Sequence, residues 1–341
     1  NVTICVPGTT NCQTIQDVAV DTGSEGLRIL SSQLALSLPQ VTDGSGNPIA
    51  NCIVYADNSY AWGPVMTADV QMAGEKASSV PIQVIGAPNF PAVPSSCNSG
   101  GTADDTVAAL GANGTIGLGL FRHDCGAGCS GSAASAPPFY FDCAASGCTV
   151  TSVLLQNQVQ NPVWLFPQDN NGVLISLPSI PPGGAPTVSG SLIFGIGTQS
   201  DNALGSASVY TTDGNGNFST TFKDNAYPAS FIDTGSNGIF FLNSSTIGLP
   251  PCAGAPGFSC PSSTASYTAT NTGTNGTSGQ VAFSIANADS LFNSANSAFN
   301  DLGGPDTGEF DWGLPFFFGR NVFIAINTLN TPAGTGPYWA Y

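Results

Sequence analysis

One short pattern occurs twice in this chain and limits its fold more than any other feature. Val18-Ala19-Val20-Asp21-Thr22-Gly23-Ser24 returns as Ser230-Phe231-Ile232-Asp233-Thr234-Gly235-Ser236. Each copy is an apolar strand running into Asp-Thr-Gly-Ser, and each continues into a second apolar stretch, Leu27 to Leu30 and Ile239 to Leu242. The glycine lets a tight turn close, while the aspartate and the two hydroxyls can bond to the turn's own backbone. A carboxylate placed there is held rigidly at the end of a buried strand. A further element follows each copy: Gly114-Thr115-Ile116-Gly117-Leu118-Gly119 in the first half and Phe316-Phe317-Phe318-Gly319 in the second. An apolar run ending in glycine can pass close to the aspartate turn, which singles out Gly117 and Gly319, because only glycine permits so near a backbone approach. The two halves thus read as versions of one lobe.

The rest of the chain fits a β-rich reading. Runs such as Gln16 to Val20, Val65 to Met72, Val80 to Ile85, Ser191 to Gly195, Ala207 to Tyr210 and Ser230 to Phe241 are β-branched or apolar and bounded by turn formers. Short helices are expected at Ser31 to Ser37, Val150 to Gln158 and Ala288 to Phe299. Many strands with few helices imply sandwich- or barrel-like lobes. The Pro- and Gly-rich stretch Leu177 to Gly190 is a natural linker. The expected division is residues 1–178, a linker over 179–190, and residues 191–341.

Composition narrows the function. With 21 acidic residues against 5 Lys plus Arg, the formal net charge is -16. Nucleic acid and anionic lipid are therefore poor partners, since both are bound through clustered Lys and Arg. No apolar run is long enough for a membrane span. Ten cysteines fall mostly in short-range sets: Cys5 with Cys12, Cys125 with Cys129, Cys143 with Cys148, and Cys252 with Cys260, leaving Cys52 and Cys97. Such spacing reads as disulfides made in an oxidising compartment, with connectivity among Cys125, Cys129, Cys143 and Cys148 left open. A metal knuckle there would have to rely on His123, the single histidine, and a looser spacing than a metal site uses. The same lone histidine argues against Ser–His–Asp and Cys–His chemistry. No metal and no cofactor is expected. The start at Asn1 suits a mature secreted chain whose signal peptide has been removed.

Two carboxylates brought together cannot both ionise easily, so they share one proton over a range of pH. The ionised oxygen can then take a proton from water while the protonated one polarises a carbonyl. On these motifs the chain resembles the pepsin-like aspartic peptidases, as a divergent, bacterial secreted branch. The resemblance implies an all-β, bilobal acid-protease fold of two related barrel-like lobes with an active-site cleft between them. It implies Asp21 and Asp233 as the catalytic pair, supported by Thr22, Gly23, Ser24, Thr234, Gly235 and Ser236, with Gly117 and Gly319 threading the two loops. Tyr55-Ala56-Asp57-Asn58-Ser59 resembles the family's substrate flap, which would include Tyr55, Ala56 and Asp57, with Tyr55 as the flap tyrosine and Asp57 and Ser59 as polar groups of the hairpin tip. Ala56 and Asn58 depart from the usual flap glycines, and Arg28 stands where the family has an aromatic partner for the flap tyrosine. The implied activity is endopeptidase cleavage of a polypeptide substrate by a monomer. The alternative is a non-catalytic binding or inhibitor protein on the same fold; a glycosidase is a weaker third reading.

Overall fold

The computed structural model describes every residue except Asn89 and Ser99. It divides into two compact units, Asn1–Asn170 and Asn171–Tyr341. The strand Gly172–Leu177, which lies within the residues 1–178 assigned from sequence to the first lobe, pairs with Ser191–Phe194 and Arg320–Ala325 of the second unit. Its consecutive apolar residues Val173, Leu174 and Ile175 are buried against those neighbours, so the division falls earlier than the proline-rich stretch suggests.

The first unit is built on one ten-stranded sheet. Two long strands, Tyr60–Met72 and Glu75–Ile85, form its spine as an antiparallel pair. Their inward residues Val65, Val70, Val80, Ile82 and Ile85 are fully or almost fully buried. At one end of this sheet the strand Gly114–Leu118 lies between Val18–Asp21, which runs parallel to it, and Glu25–Leu30, which runs antiparallel. Residues 22–24 are therefore a loop wrapped around the end of a threaded strand.

The second unit has a seven-stranded sheet, a five-stranded sheet and a two-stranded ribbon. Within the seven-stranded sheet the threaded arrangement recurs. Phe310–Trp312 runs parallel to Asn225–Ile232 and antiparallel to Ile239–Phe241, so it lies between them. The core here is aromatic: Phe222, Phe241, Phe283, Phe310 and Trp312 contact one another edge-on or stacked. Rings in such arrangements favour one another beyond the area they bury.

Helix is scarcer and shorter than the sequence suggests. Ser31–Gln33 and Leu155–Asn157 are single 3-10 turns, and the helix at Ala288 stops at Phe292. Its start is capped by Asn287, whose side chain accepts the Ser290 N–H. The run Ser230 to Phe241 is two strands separated by the second aspartate loop. All ten cysteines are bridged: Cys5–Cys12, Cys52–Cys97, Cys125–Cys129, Cys143–Cys148 and Cys252–Cys260. This pairing settles the connectivity left open between Cys125 and Cys148. No described helix is long and apolar enough to cross a membrane.

Candidate active site

In the first unit Asp21 ends its strand opposite Gly117. The Gly23 N–H donates to Asp21 Oδ1 at 2.8 Å and the Ser24 hydroxyl to Oδ2 at 2.5 Å. Both carboxylate oxygens thus receive a donor from the next three residues of the chain, which fixes the side chain's direction. In the second unit the Gly235 N–H donates to Asp233 Oδ1 at 2.6 Å and the Ser236 hydroxyl to Oδ2 at 2.9 Å. The same two donors serve the same two oxygens in both copies. Asp21, Thr22 and Ser24 are buried, whereas Asp233, Thr234 and Ser236 are half-buried and Gly23 and Gly235 are exposed at the turns.

The threading glycines explain why these loops close so tightly. A Cβ on Gly117 would lie 2.5 Å from the Glu25 carbonyl carbon, inside any permitted contact. In the second unit the corresponding residue is Gly313, which corrects the expectation for Gly319. The Asp233 N–H bonds to the Trp312 carbonyl, and Leu314 N–H to the Ser236 carbonyl. A Cβ on Gly313 would sit 2.0 Å from the Gly238 oxygen and 2.6 Å from that of Ser236. Gly319 instead lies beside Ser179, with φ +76°, at the entry to the strand Arg320–Ala325. The apolar run Phe316 to Phe318 is not a threaded strand. Leu314–Phe317 is a 3-10 turn that buries Phe316 and Phe317, and the element that threads is Phe310-Asp311-Trp312-Gly313. A charged residue in its middle conceals it from a search for apolar runs.

The hairpin between Ile49–Val54 and Tyr60–Met72 turns at residues 55–59, closed by Tyr55 N–H to the Ser59 carbonyl and Asn58 N–H to that of Tyr55. Asp57 accepts the Ser59 N–H, and Ala56, Asp57 and Asn58 are exposed at the tip. Asn58 adopts φ 66°, a left-handed conformation that asparagine tolerates better than most side chains. Tyr55 packs on the cluster of Leu30, Ile53, Ala61 and Ile85, and its buried hydroxyl has no hydrogen-bond partner. Burial pushes that hydroxyl up to about 12, Arg28 offsets part of the rise, and Asp21 adds to it. Tyr55, Arg28 and Asp21 are therefore within electrostatic reach of one another inside a single unit.

Beneath this hairpin lies a buried polar cluster that sequence reading did not anticipate. Arg28 and Asp124 form an ion pair at 3.0 Å with side chains 0% and 1% exposed. Arg28 also donates to the Glu25 carbonyl, and Asp124 accepts from Tyr140 at 2.5 Å and Asn51 at 3.1 Å. Burial raises Asp124 against the opposing pull of Arg28, Tyr140 and Asn51. Glu25, the residue directly after the first Asp-Thr-Gly-Ser, accepts the Phe121 N–H at 3.2 Å. Burial drives its carboxyl up to about 8; the Phe121 N–H lowers it, Asp124 and Asp21 raise it further, and Arg28 lowers it. Its position next to the motif was the available signal. In the second unit Asp311 is likewise raised well above the usual carboxylate range, by burial first and by Asp233 next.

Other groups lie away from these loops. Arg320 donates to the Phe316 carbonyl and stacks over the Phe316 ring at 4.5 Å. Cys252, Cys260 and Asp289 come within 4.8 Å of one another, but the two sulfurs are joined as a disulfide and offer no thiolate to a metal. A cavity of about 770 Å³ in the second unit is bordered by Tyr267, Phe283, Trp312 and Phe316, with Asp301 and Arg320 as its charged walls.

A family model described as "Protein of unknown function (DUF3443)" matches residues 1–341. The chain belongs to that family. No curated protein matches the sequence. Among solved structures, the chain is similar to an aspartic proteinase from Irpex lacteus, at 14% identity and a TM-score of 0.58. The similarity covers 100% of this chain and 92% of the other. At that identity the likeness concerns the fold: this DUF3443 member is an all-β protein of the pepsin-like fold.

Proposed function

We propose that the chain is an aspartic endopeptidase that hydrolyses peptide bonds with a water activated by Asp21 and Asp233. The observation that carries this reading is the duplicated carboxylate cradle. Each aspartate receives a glycine N–H on one oxygen and a serine hydroxyl on the other, and each cradle closes over a strand admitted by a glycine. A turn that merely ended a strand would have no need of this arrangement twice. The chemistry requires one carboxylate to accept a proton from water while a carboxylic acid polarises the scissile carbonyl, so the pair works with one proton between them. No metal or cofactor takes part in the reaction so written. The substrate is an unfolded or extended polypeptide, with Tyr55 and the exposed 56–58 turn as the flap, and Thr22 and Thr234 as loop supports. Five disulfides fit an oxidising compartment outside the cytoplasm, and the protein acts as a secreted monomer.

A second reading has one observation in its favour. The hairpin tip carries side chains at Ala56 and Asn58, and the tyrosine behind it is within electrostatic reach of a buried arginine, which suits a non-catalytic binding protein on the same fold. Hydrolysis of a denatured protein from strongly acidic to neutral pH, with and without pepstatin, separates the two. The expected result is pepstatin-sensitive cleavage with an acidic optimum. It should fall by roughly 10²–10⁴-fold in Asp21→Asn and in Asp233→Asn. Undiminished cleavage in either variant removes that aspartate from the mechanism, and absence of cleavage in the parent protein leaves the binding reading.

A further inference from the structure

Asp311 is a carboxyl group in a place where the first unit has a hydroxyl. In the threaded strand of the first unit, Thr115 pairs with Arg28 and stands two residues before the glycine that passes the loop. In the second unit, Asp311 pairs with Phe240 and stands two residues before Gly313. Asp311 is 3% exposed and its Oδ1 has no hydrogen-bond partner. In the first unit the buried Asp124 is met by Arg28. No basic side chain is among the charged groups that act on Asp311. The charged groups that act on it are Asp233, Asp306 and Glu309, all acidic and all raising it, while a hydrogen bond with the Ser236 side chain pulls it partly back. A buried carboxylate whose charged neighbours are all acidic is costlier than the neutral acid, and burial outweighs the single serine hydrogen bond, so the group keeps its proton.

That proton bears on the candidate catalytic residue. The Ser236 hydroxyl has one hydrogen, and it is directed at Asp233 Oδ2. Ser236 Oγ is left as an acceptor, and a protonated Asp311 is a donor. We propose that Asp311 is a positioning residue for Asp233: a neutral carboxylic acid that donates to the Ser236 hydroxyl and so keeps the serine's own hydrogen on Asp233 Oδ2. The inference rests on the endopeptidase reading for its consequence and on the second unit alone for its geometry.

Two substitutions test it. Asp311→Asn keeps the shape and an N–H donor, and Asp311→Leu keeps the volume but cannot donate. Asp311→Asn is expected to stay within about threefold of the parent in kcat across the acidic range, and Asp311→Leu to fall at least tenfold with little change in KM. The melting temperature, followed against pH, gives a readout free of activity. The parent should lose stability with rising pH as Asp311 is forced to ionise, and Asp311→Asn should lose less. Equal kcat in the two variants overturns the positioning role. An unchanged pH slope in Asp311→Asn overturns the neutral acid, and does so whether or not the parent cleaves protein. Absence of cleavage with the altered slope instead defeats the endopeptidase reading, and with it the positioning role, while leaving the neutral acid standing.

Discussion

The glycines that admit the threaded strands show how a single missing atom shapes this molecule. At Gly313 a Cβ would meet two backbone carbonyl oxygens, at 2.0 and 2.6 Å, and neither can move without unpicking the second aspartate loop. At Gly319 the nearest atom is 3.3 Å away on a serine side chain, and the penalty is that of a left-handed backbone. Gly313→Ala should therefore cost roughly 3 kcal/mol as an overpacked site. Gly319→Ala should cost about 1 kcal/mol as a conformational one. Denaturant unfolding of the two variants measures the difference, and a larger loss at Gly319 would contradict the assignment of the threaded strand. Sequence reading placed both aspartates and Gly117 from local pattern, because the motif specifies its own turn. It missed Gly313 because apolarity alone favoured the three phenylalanines that follow.

Among elements, the buried network around Arg28 ties together parts far apart in the chain. Arg28 belongs to the strand Glu25–Leu30, Asn51 to Ile49–Val54, and Tyr140 to Tyr140–Ala144; all converge with Asp124, and Tyr140 also accepts the Val159 N–H at 2.7 Å. The cysteine-rich excursion is thus fastened to the strand behind the first aspartate loop by charge, while its two short disulfides close loops within the excursion itself. Removing one member leaves the other charge buried and alone, which costs about 3–5 kcal/mol, whereas replacing both by apolar groups can be nearly neutral. Asp124→Ala should lose stability in that range, and the double variant Arg28→Met, Asp124→Leu should recover most of it in a chemical denaturation series. Additive losses would mean that the pair is not coupled. Local periodicity carries no trace of this network, since its members lie up to 131 residues apart.

For the whole molecule, the balance of protonation favours acid. Glu25 is pushed up to about 8 from 4.5, and Asp311 is also raised, so the folded state holds protons that the unfolded chain releases. Their contribution is fully present below the unfolded value and is lost as pH rises through the folded one. For Glu25 that window runs from about 4.5 to 8. Asp69 and Asp43 are lowered and act in the opposite sense, but only as pH falls below the ordinary aspartate value of 3.8. His123, lowered by burial, opposes the trend near its ordinary value of 6.5, as one group against several. Self-repulsion from a net charge of -16 works in the same direction as the raised acids. The melting temperature should fall steadily between pH 4.5 and 8, and Glu25→Gln should flatten that fall. A melting temperature that rises over this interval would refute the direction assigned to Glu25.

The amino-acid order by itself determined the β-rich class, the duplicated aspartate turns and the use of cysteine in disulfides, because each depends on residues close together in the chain. A turn motif carries its own donors, and an apolar strand announces itself by composition. Tertiary structure alone decided which glycine threads the second loop, where the first unit ends, and that Arg28 pairs with Asp124. It also decided that Glu25 and Asp311 are buried beside the aspartates. Those outcomes depend on which distant strands pair and on how much water they exclude. A carboxyl that reads as one more surface acid in the chain becomes a proton-holding group once its neighbours are packed around it.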